Sequence, residues 1–81
     1  MIETRQVMTN LHVALASAGA SVHDLVLMTI VVVDGVDVSA AYPVAAASLD
    51  GAAPPDKVMR VAGLAIPGAL IEVGAVAAVS T

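Results

Sequence analysis

Leu25-Val26-Leu27-Met28-Thr29-Ile30-Val31-Val32-Val33 is the stretch whose reading decides the fold. Nine residues are too few to cross a bilayer, and the run is too rich in β-branched side chains to prefer a helix, so it reads as a β-strand. The alternating sets Leu25/Leu27/Val31/Val33 and Val26/Met28/Ile30/Val32 are both apolar, which calls for cover on both faces of the strand. A layer of helices supplies one cover. The other must come from elsewhere, and a second subunit is the simplest source.

Before the strand, Val7, Met8, Leu11, Ala14, Leu15 and Ala18 recur at the period of an amphipathic helix, with Gln6, Thr9, Asn10, Val13 and Ser17 on its outer face. Gly19 provides the left-handed stop. After the strand, Asp34-Gly35-Val36-Asp37 is a turn, and Asp37 or Ser39 is the expected cap of a second helix running to about Leu49. Pro43 favours a late start for that helix, because in the first turn it deletes no internal hydrogen bond. Asp50-Gly51-Ala52-Ala53-Pro54-Pro55 is a loop, followed by strands at about Lys57–Leu64 and Ala69–Val79, which Pro67-Gly68 is expected to join as a hairpin. The order is helix, strand, helix, strand, strand within one domain over residues 1–81.

Composition narrows the function classes. A chain of 81 residues supports one marginal core, and its only aromatic residue is Tyr42 although 59% of the residues are hydrophobic, so elements must approach closely on small side chains. Three basic residues against seven acidic ones give a net charge of −4, which argues against nucleic acid as a partner. The absence of cysteine excludes disulfides and thiolate metal sites. Glu3, Thr4, Arg5, Gln6 and Asn10 crowd the start and leave no signal-peptide pattern, so a cytoplasmic location is the default. Val61–Val79 is apolar enough to suggest a membrane span, but Pro67-Gly68 divides it and Glu72 is costly in lipid, so two strands explain it better.

Several of these segments resemble a known family. Thr4-Arg5-Gln6-Val7-Met8-Thr9-Asn10-Leu11, Ala14-Leu15 and Ala18-Gly19-Ala20-Ser21 together resemble the first-helix signature TRQVLENLKAALEAAGAS of the Rid family, also called YjgF or endoribonuclease L-PSP. The Asp-rich turn, Pro54-Pro55 and Gly68-Ala69-Leu70-Ile71-Glu72-Val73, similar to the family's GALVEIEA, follow in the same order. The resemblance implies an α+β, chorismate-mutase-like Rid fold, with two helices on one face of a mixed sheet. The other face is expected to join three subunits into a homotrimeric barrel with ligand pockets at the boundaries. It also implies a β-hairpin ahead of the first helix, so this chain corresponds to the C-terminal two-thirds of the family domain.

Rid enzymes hydrolyse small enamine or imine acids to ketoacids and ammonia without metal or organic cofactor, and the resemblance implies the same small-metabolite substrate class here. The alternative is a non-catalytic Rid-fold protein that binds a small metabolite or assists a partner enzyme. The family's substrate-gripping Arg follows the Pro-Pro pair, where a guanidinium holds a carboxylate by a bidentate fork. A gapless count places Lys57 there, and a shift by one places Asp56. Arg60 lies three residues beyond Lys57 and points to the opposite face of an extended strand. A solvated charge at a strand start also accounts for Lys57, and an edge or loop-facing charge for Arg60. Glu72 interrupts an apolar strand between Leu70 and Val76 and matches the family Glu that positions the attacking water. The expectation is a buried carboxylate, in a site role or in a salt bridge to Arg60 or Arg5. Where the family often carries a pocket-facing Asn, this chain has Tyr42-Pro43. His12 and His23 have no partner at metal-ligand spacing and read as surface histidines.

Overall fold

The computed structural model describes residues 2–79. Helix α1 spans Ile2–Ser17, strand β1 Leu25–Val33, helix α2 Ala41–Ser48, strand β2 Asp56–Val61 and strand β3 Ile71–Ala77, with a 3-10 turn at Val22–Asp24 leading into β1. The sheet order is β2-β1-β3. β1 pairs with β2 in parallel and with β3 antiparallel, so the sheet is mixed and both helices lie on one face of it.

This order corrects the expected hairpin. Gly68 does turn the chain, at φ +83°, but β2 and β3 flank β1 on opposite sides instead of pairing with each other. A parallel β1–β2 pair needs a crossover, and α2 with its loops provides it. The chain then passes the end of β1, where Val33 N–H donates to Leu70 O at 3.0 Å, and returns along the other edge. In that arrangement the strand with most apolar side chains on both faces gains two neighbours.

β1 carries a bulge. Leu25 pairs with Ala77 and Leu27 with Val76, leaving Val26 as the extra residue. Strict alternation would put Leu25 and Met28 on opposite faces, whereas the bulge turns both toward the helices, where they are buried. The expected grouping of Leu25 with Leu27, Val31 and Val33 is thereby corrected. The helix-facing set is Leu25, Met28, Ile30 and Val32, and Val32 is fully buried.

α1 answers that surface with Thr4, Met8, Leu11 and Leu15, spaced by four, three and four residues. Ala14 and Ala18, expected on the buried stripe, are exposed because they face an open groove beside β3. Ala20 N–H donates to Leu15 O at 2.8 Å and Gly19 N–H to Ala16 O at 3.0 Å, closing the helix in a Schellman motif with Gly19 at φ +74°. Ser21 and Asp24 cap the following turn reciprocally: Asp24 Oδ2 accepts from Ser21 N–H at 2.9 Å, and Ser21 Oγ accepts from His23 N–H at 3.3 Å.

α2 starts late, with Pro43 as its third residue, in the first turn where it is tolerated. The expected side-chain cap is absent. Ala40 occupies the cap position, while Asp37 Oδ1 accepts from Ser39 N–H at 2.9 Å in a turn that precedes the helix. No helix among the described residues is long and apolar enough to cross a membrane.

Gly19 is the one point where α1 depends on a left-handed residue. Gly19→Ala is expected to lower the unfolding free energy by about 1–2 kcal/mol, although open space surrounds the position. Urea denaturation of the two proteins under one set of conditions measures the difference.

Candidate functional site

Register places the candidate side chains. In β2, Lys57 stands opposite Thr29 of β1, and across the other ladder Thr29 stands opposite Gly74 of β3. Two residues further along β1, Val31 stands between Met59 and Glu72. Laterally paired residues share a face, so Lys57, Thr29, Val31, Met59 and Glu72 occupy the face away from the helices. With strands about 4.8 Å apart and a rise of about 3.4 Å per residue, the Cα atoms of Lys57 and Glu72 are separated by roughly 12 Å. That leaves room for a few heavy atoms between an ammonium and a carboxyl group. Thr29 lies between them, the one polar residue of the nine in β1.

Arg60 is not part of this set. It pairs with Val32 on the helix face, and its Nη1 donates to Val36 O at 3.0 Å. Asp56 pairs with Met28 and therefore also belongs to the helix side. Of the two alignments of the Pro-Pro segment, the one that puts Lys57 at the anchor position gives a side chain facing Glu72.

Glu72 is exposed, not buried as its apolar neighbours suggested. Among the described residues nothing covers the face it occupies: Leu27 and Val76, further along that face, are 37% and 55% exposed. Among the described residues the alternative salt bridge to Arg60 or Arg5 is also absent; the Arg60 guanidinium is engaged with Val36 O instead. The one ion pair among the described residues joins His23 to Asp50 at 3.2 Å, between two exposed side chains. His12 departs from its surface reading. It is half-buried, and its Nε2 lies 2.8 Å from Ser48 O and 3.0 Å from Ser48 Oγ. A carbonyl only accepts, so Nε2 carries the hydrogen, and the bond ties α1 to the end of α2. Among the described residues no three His, Cys, Asp or Glu side chains gather as metal ligands.

A further opening lies beside α1, along the edge of the sheet that β3 forms, and Glu72 also borders it. A groove of about 660 Å³ runs between α1 and β3, with Val7, Leu11, Ala14 and Ala18 on one wall and Val73 and Ala75 on the other. Sequence reasoning missed this groove. It also missed Thr29, whose signal was available: a lone hydroxyl in an otherwise apolar strand.

An α+β chain with two helices on one face of a mixed sheet, and a polar pair on the other, defines the class; comparison with known proteins defines the family. The family model for endoribonuclease L-PSP matches residues 2–79. An L-PSP-type protein from Entamoeba histolytica superposes with a TM-score of 0.86 at 32% identity, over 94% of this chain and 60% of that one. YyfB from Yersinia pestis, a Rid-family protein of unknown function, gives a TM-score of 0.80 at 34% identity, over 94% of this chain and 59% of its own. Rv2704 from Mycobacterium tuberculosis, of the YjgF/YER057c/UK114 family, gives 0.80 at 32%, over 94% and 64%. No curated protein sequence matches significantly. The chain belongs to the Rid family, also called YjgF or endoribonuclease L-PSP. It spans about 60% of the length of these solved relatives.

At the far end of β2, Asp37 is held below the ordinary aspartate value of 3.8, first by the Ser39 backbone N–H, then by the Ser39 hydroxyl, with Arg60 adding a smaller attraction against a desolvation penalty. A depressed folded-state value stabilises the fold above the unfolded-state value and loses that contribution as pH falls through the folded one. The affected window is therefore acidic, below 3.8. Carboxyl-carbon NMR titration is expected to place the Asp37 midpoint below 3.8, and Ser39→Ala to raise it only in part, because the backbone N–H remains.

Proposed function

We propose that the uncovered sheet face is the ligand face and that the protein hydrolyses small enamine or imine acids to ketoacids and ammonia. The observation that carries this reading is the placement of Lys57 and Glu72 on one face, with Thr29 between them. Lys57 attracts the substrate carboxylate. The carboxyl group of Glu72 accepts a proton from water as the water oxygen bonds to the imine carbon, and the substrate nitrogen takes up a proton. The C–N bond of the resulting carbinolamine then breaks, ammonia leaves, and the carbon becomes the carbonyl of the ketoacid. The two steps together consume one water, and protons are only relayed, with no oxidant or reductant.

The same face needs a cover, both for its apolar residues and to exclude bulk water from the reacting carbon. A homotrimer supplies it by setting the face against neighbouring subunits. Light scattering at micromolar concentration is expected to give three chains per particle. A stable monomer would remove the proposed pocket.

Lys57 offers a point charge where a guanidinium would hold two oxygens. Loss of one charge-assisted hydrogen bond costs roughly 1.5–3 kcal/mol, or about one to two decades in rate where it acts in the transition state. With 2-iminobutyrate generated in situ, turnover is expected to be weak, to rise about tenfold or more in Lys57→Arg, and to fall in Glu72→Gln without loss of assembly. Equal turnover in all three proteins would favour the second reading, a metabolite-binding Rid-fold protein without catalysis. The exposed Asp56 beside Lys57 is the observation on that side, since its charge weakens the pull on a carboxylate.

A further inference from the structure

Glycine inside a strand weakens it, because it frees the unfolded backbone and brings no side chain to pack. Gly74 stands in the middle of β3, with three strand residues on either side. The backbone does not require it, since the glycines with positive φ are Gly19, Gly35, Gly51 and Gly68. It marks no bulge, because the ladder from Glu72 to Val76 runs one to one against Val31 to Leu27. Packing does not require it either: among the described residues no atom lies within 4 Å of where its Cβ would stand. The remaining reason for a strand glycine is close approach of a ligand or of another backbone.

Its place favours the ligand. Lys57, Thr29 and Gly74 form one lateral row on the face away from the helices, with Lys57 and Gly74 at its two ends. Two strand spacings of about 4.8 Å put their Cα atoms roughly 10 Å apart. Along β3 the neighbours of Gly74 on that face are Glu72 and Val76. In a 2-imino acid the carbon that water attacks carries three substituents in a plane: carboxylate, nitrogen and side chain. With the carboxylate at Lys57 and this carbon over Thr29, beside Glu72, the substituent directed away from Lys57 lies over Gly74. The missing side chain leaves a gap there that reaches down to the strand backbone. The signature GALVEIEA, which Gly68–Val73 resembles, has glutamate at the next position, so the gap is a departure of this chain.

An uncharged substituent suits this gap. Val76 borders it on one side, and Glu72 on the other repels a second carboxylate. Of the three basic side chains, Lys57 is engaged, Arg60 lies on the helix face and Arg5 belongs to α1, so none remains on this face of the subunit to hold one. Given the hydrolysis proposed above, on which this assignment rests, we infer that Gly74 sets the side-chain specificity of the face. Its gap accepts the aliphatic side chain of the substrate and favours propyl and ethyl over methyl.

The test supplies the full chain with 2-iminopropionate, 2-iminobutyrate and 2-iminovalerate generated in situ, and separately titrates it with the corresponding stable 2-oxo acids. Burial of one methylene contributes about fourfold, so kcat/KM and affinity are each expected to rise about fifteenfold from the methyl to the propyl compound. Gly74→Val fills the gap and is expected to abolish the rise, and Gly74→Ala to reduce it; 2-oxoglutarate is expected not to bind. Light scattering checks that each variant assembles as the wild type does. Equal values across the series in the wild type, or an undiminished rise in an assembled Gly74→Val protein, would overturn the role of Gly74 and leave the hydrolysis standing. Length-dependent binding without turnover would do the reverse, and neither turnover nor binding would overturn both. Should both variants fail to assemble, a neighbouring backbone is what approaches Gly74, and its role in specificity falls.

Discussion

The structure depends on β1 holding a neighbour on each edge. A strand inside a sheet satisfies its backbone N–H and C=O groups in both directions, so it can be apolar on both faces without stranding polar groups away from water. β1 meets that condition through β2 on one side and β3 on the other. Its helix face, with Met28 and Val32 almost completely buried, is the surface on which α1 lays Met8 and Leu15. α2 is fixed by the same constraint, since it is the crossover that makes a parallel β2 possible. Each remaining element either borders this strand or covers it.

Much of this was legible in the residues, for local reasons. The β-branched run of β1, the period of α1, the stop at Gly19 and the late start imposed by Pro43 are consequences of backbone sterics and side-chain spacing, which act over a few residues. Strand order is not local. Pro67-Gly68 signals a turn correctly but says nothing about which strand the returning chain will meet, and β1 is a better partner for β3 than the shorter, charge-bearing β2. The bulge at Val26 was hidden for a related reason. Both parities of the run are apolar, so the sequence contained no contrast to show where alternation slips. The stripe on α1 failed at Ala14 and Ala18 because alanine is compatible with burial and with exposure, whereas Thr4 took a buried place that its hydroxyl argued against.

The candidate site divides along the same line. The opposition of Lys57 and Arg60 follows from the two-residue period and held because β2 carries no bulge. The position of Glu72 beside Val31 required the register of the antiparallel ladder, which no motif encodes. Its exposure required more still, because burial of a sheet face depends on whatever lies against it. Family resemblance supplied the role assigned to Glu72, and geometry supplied its neighbours.

The uncovered surface has two physically different parts. A chain of 8.0 kDa that folds as an ordinary monomer exposes about 4,450 Å², and this one exposes 5086 Å². Part of the excess is side-chain surface on the open sheet face, where cover is driven by removal of apolar area from water. Another part is the outer edge of β3. Because Val33 N–H bonds to Leu70 O, the even positions of β3 turn their backbone groups toward β1, and Val73 and Ala75 turn theirs outward beside the groove under α1. That edge calls for another strand, not for apolar area. Cover of the face bears directly on the chemistry assigned to it. The attraction between Lys57 and a carboxylate at a given distance is about fourfold stronger at an effective dielectric constant near 20 than in water near 80. In the proposed reading, whatever shields Leu27, Val31 and Val76 from solvent also strengthens the attraction of Lys57 for a carboxylate, so that stability and the proposed ligand recognition depend on the same contact.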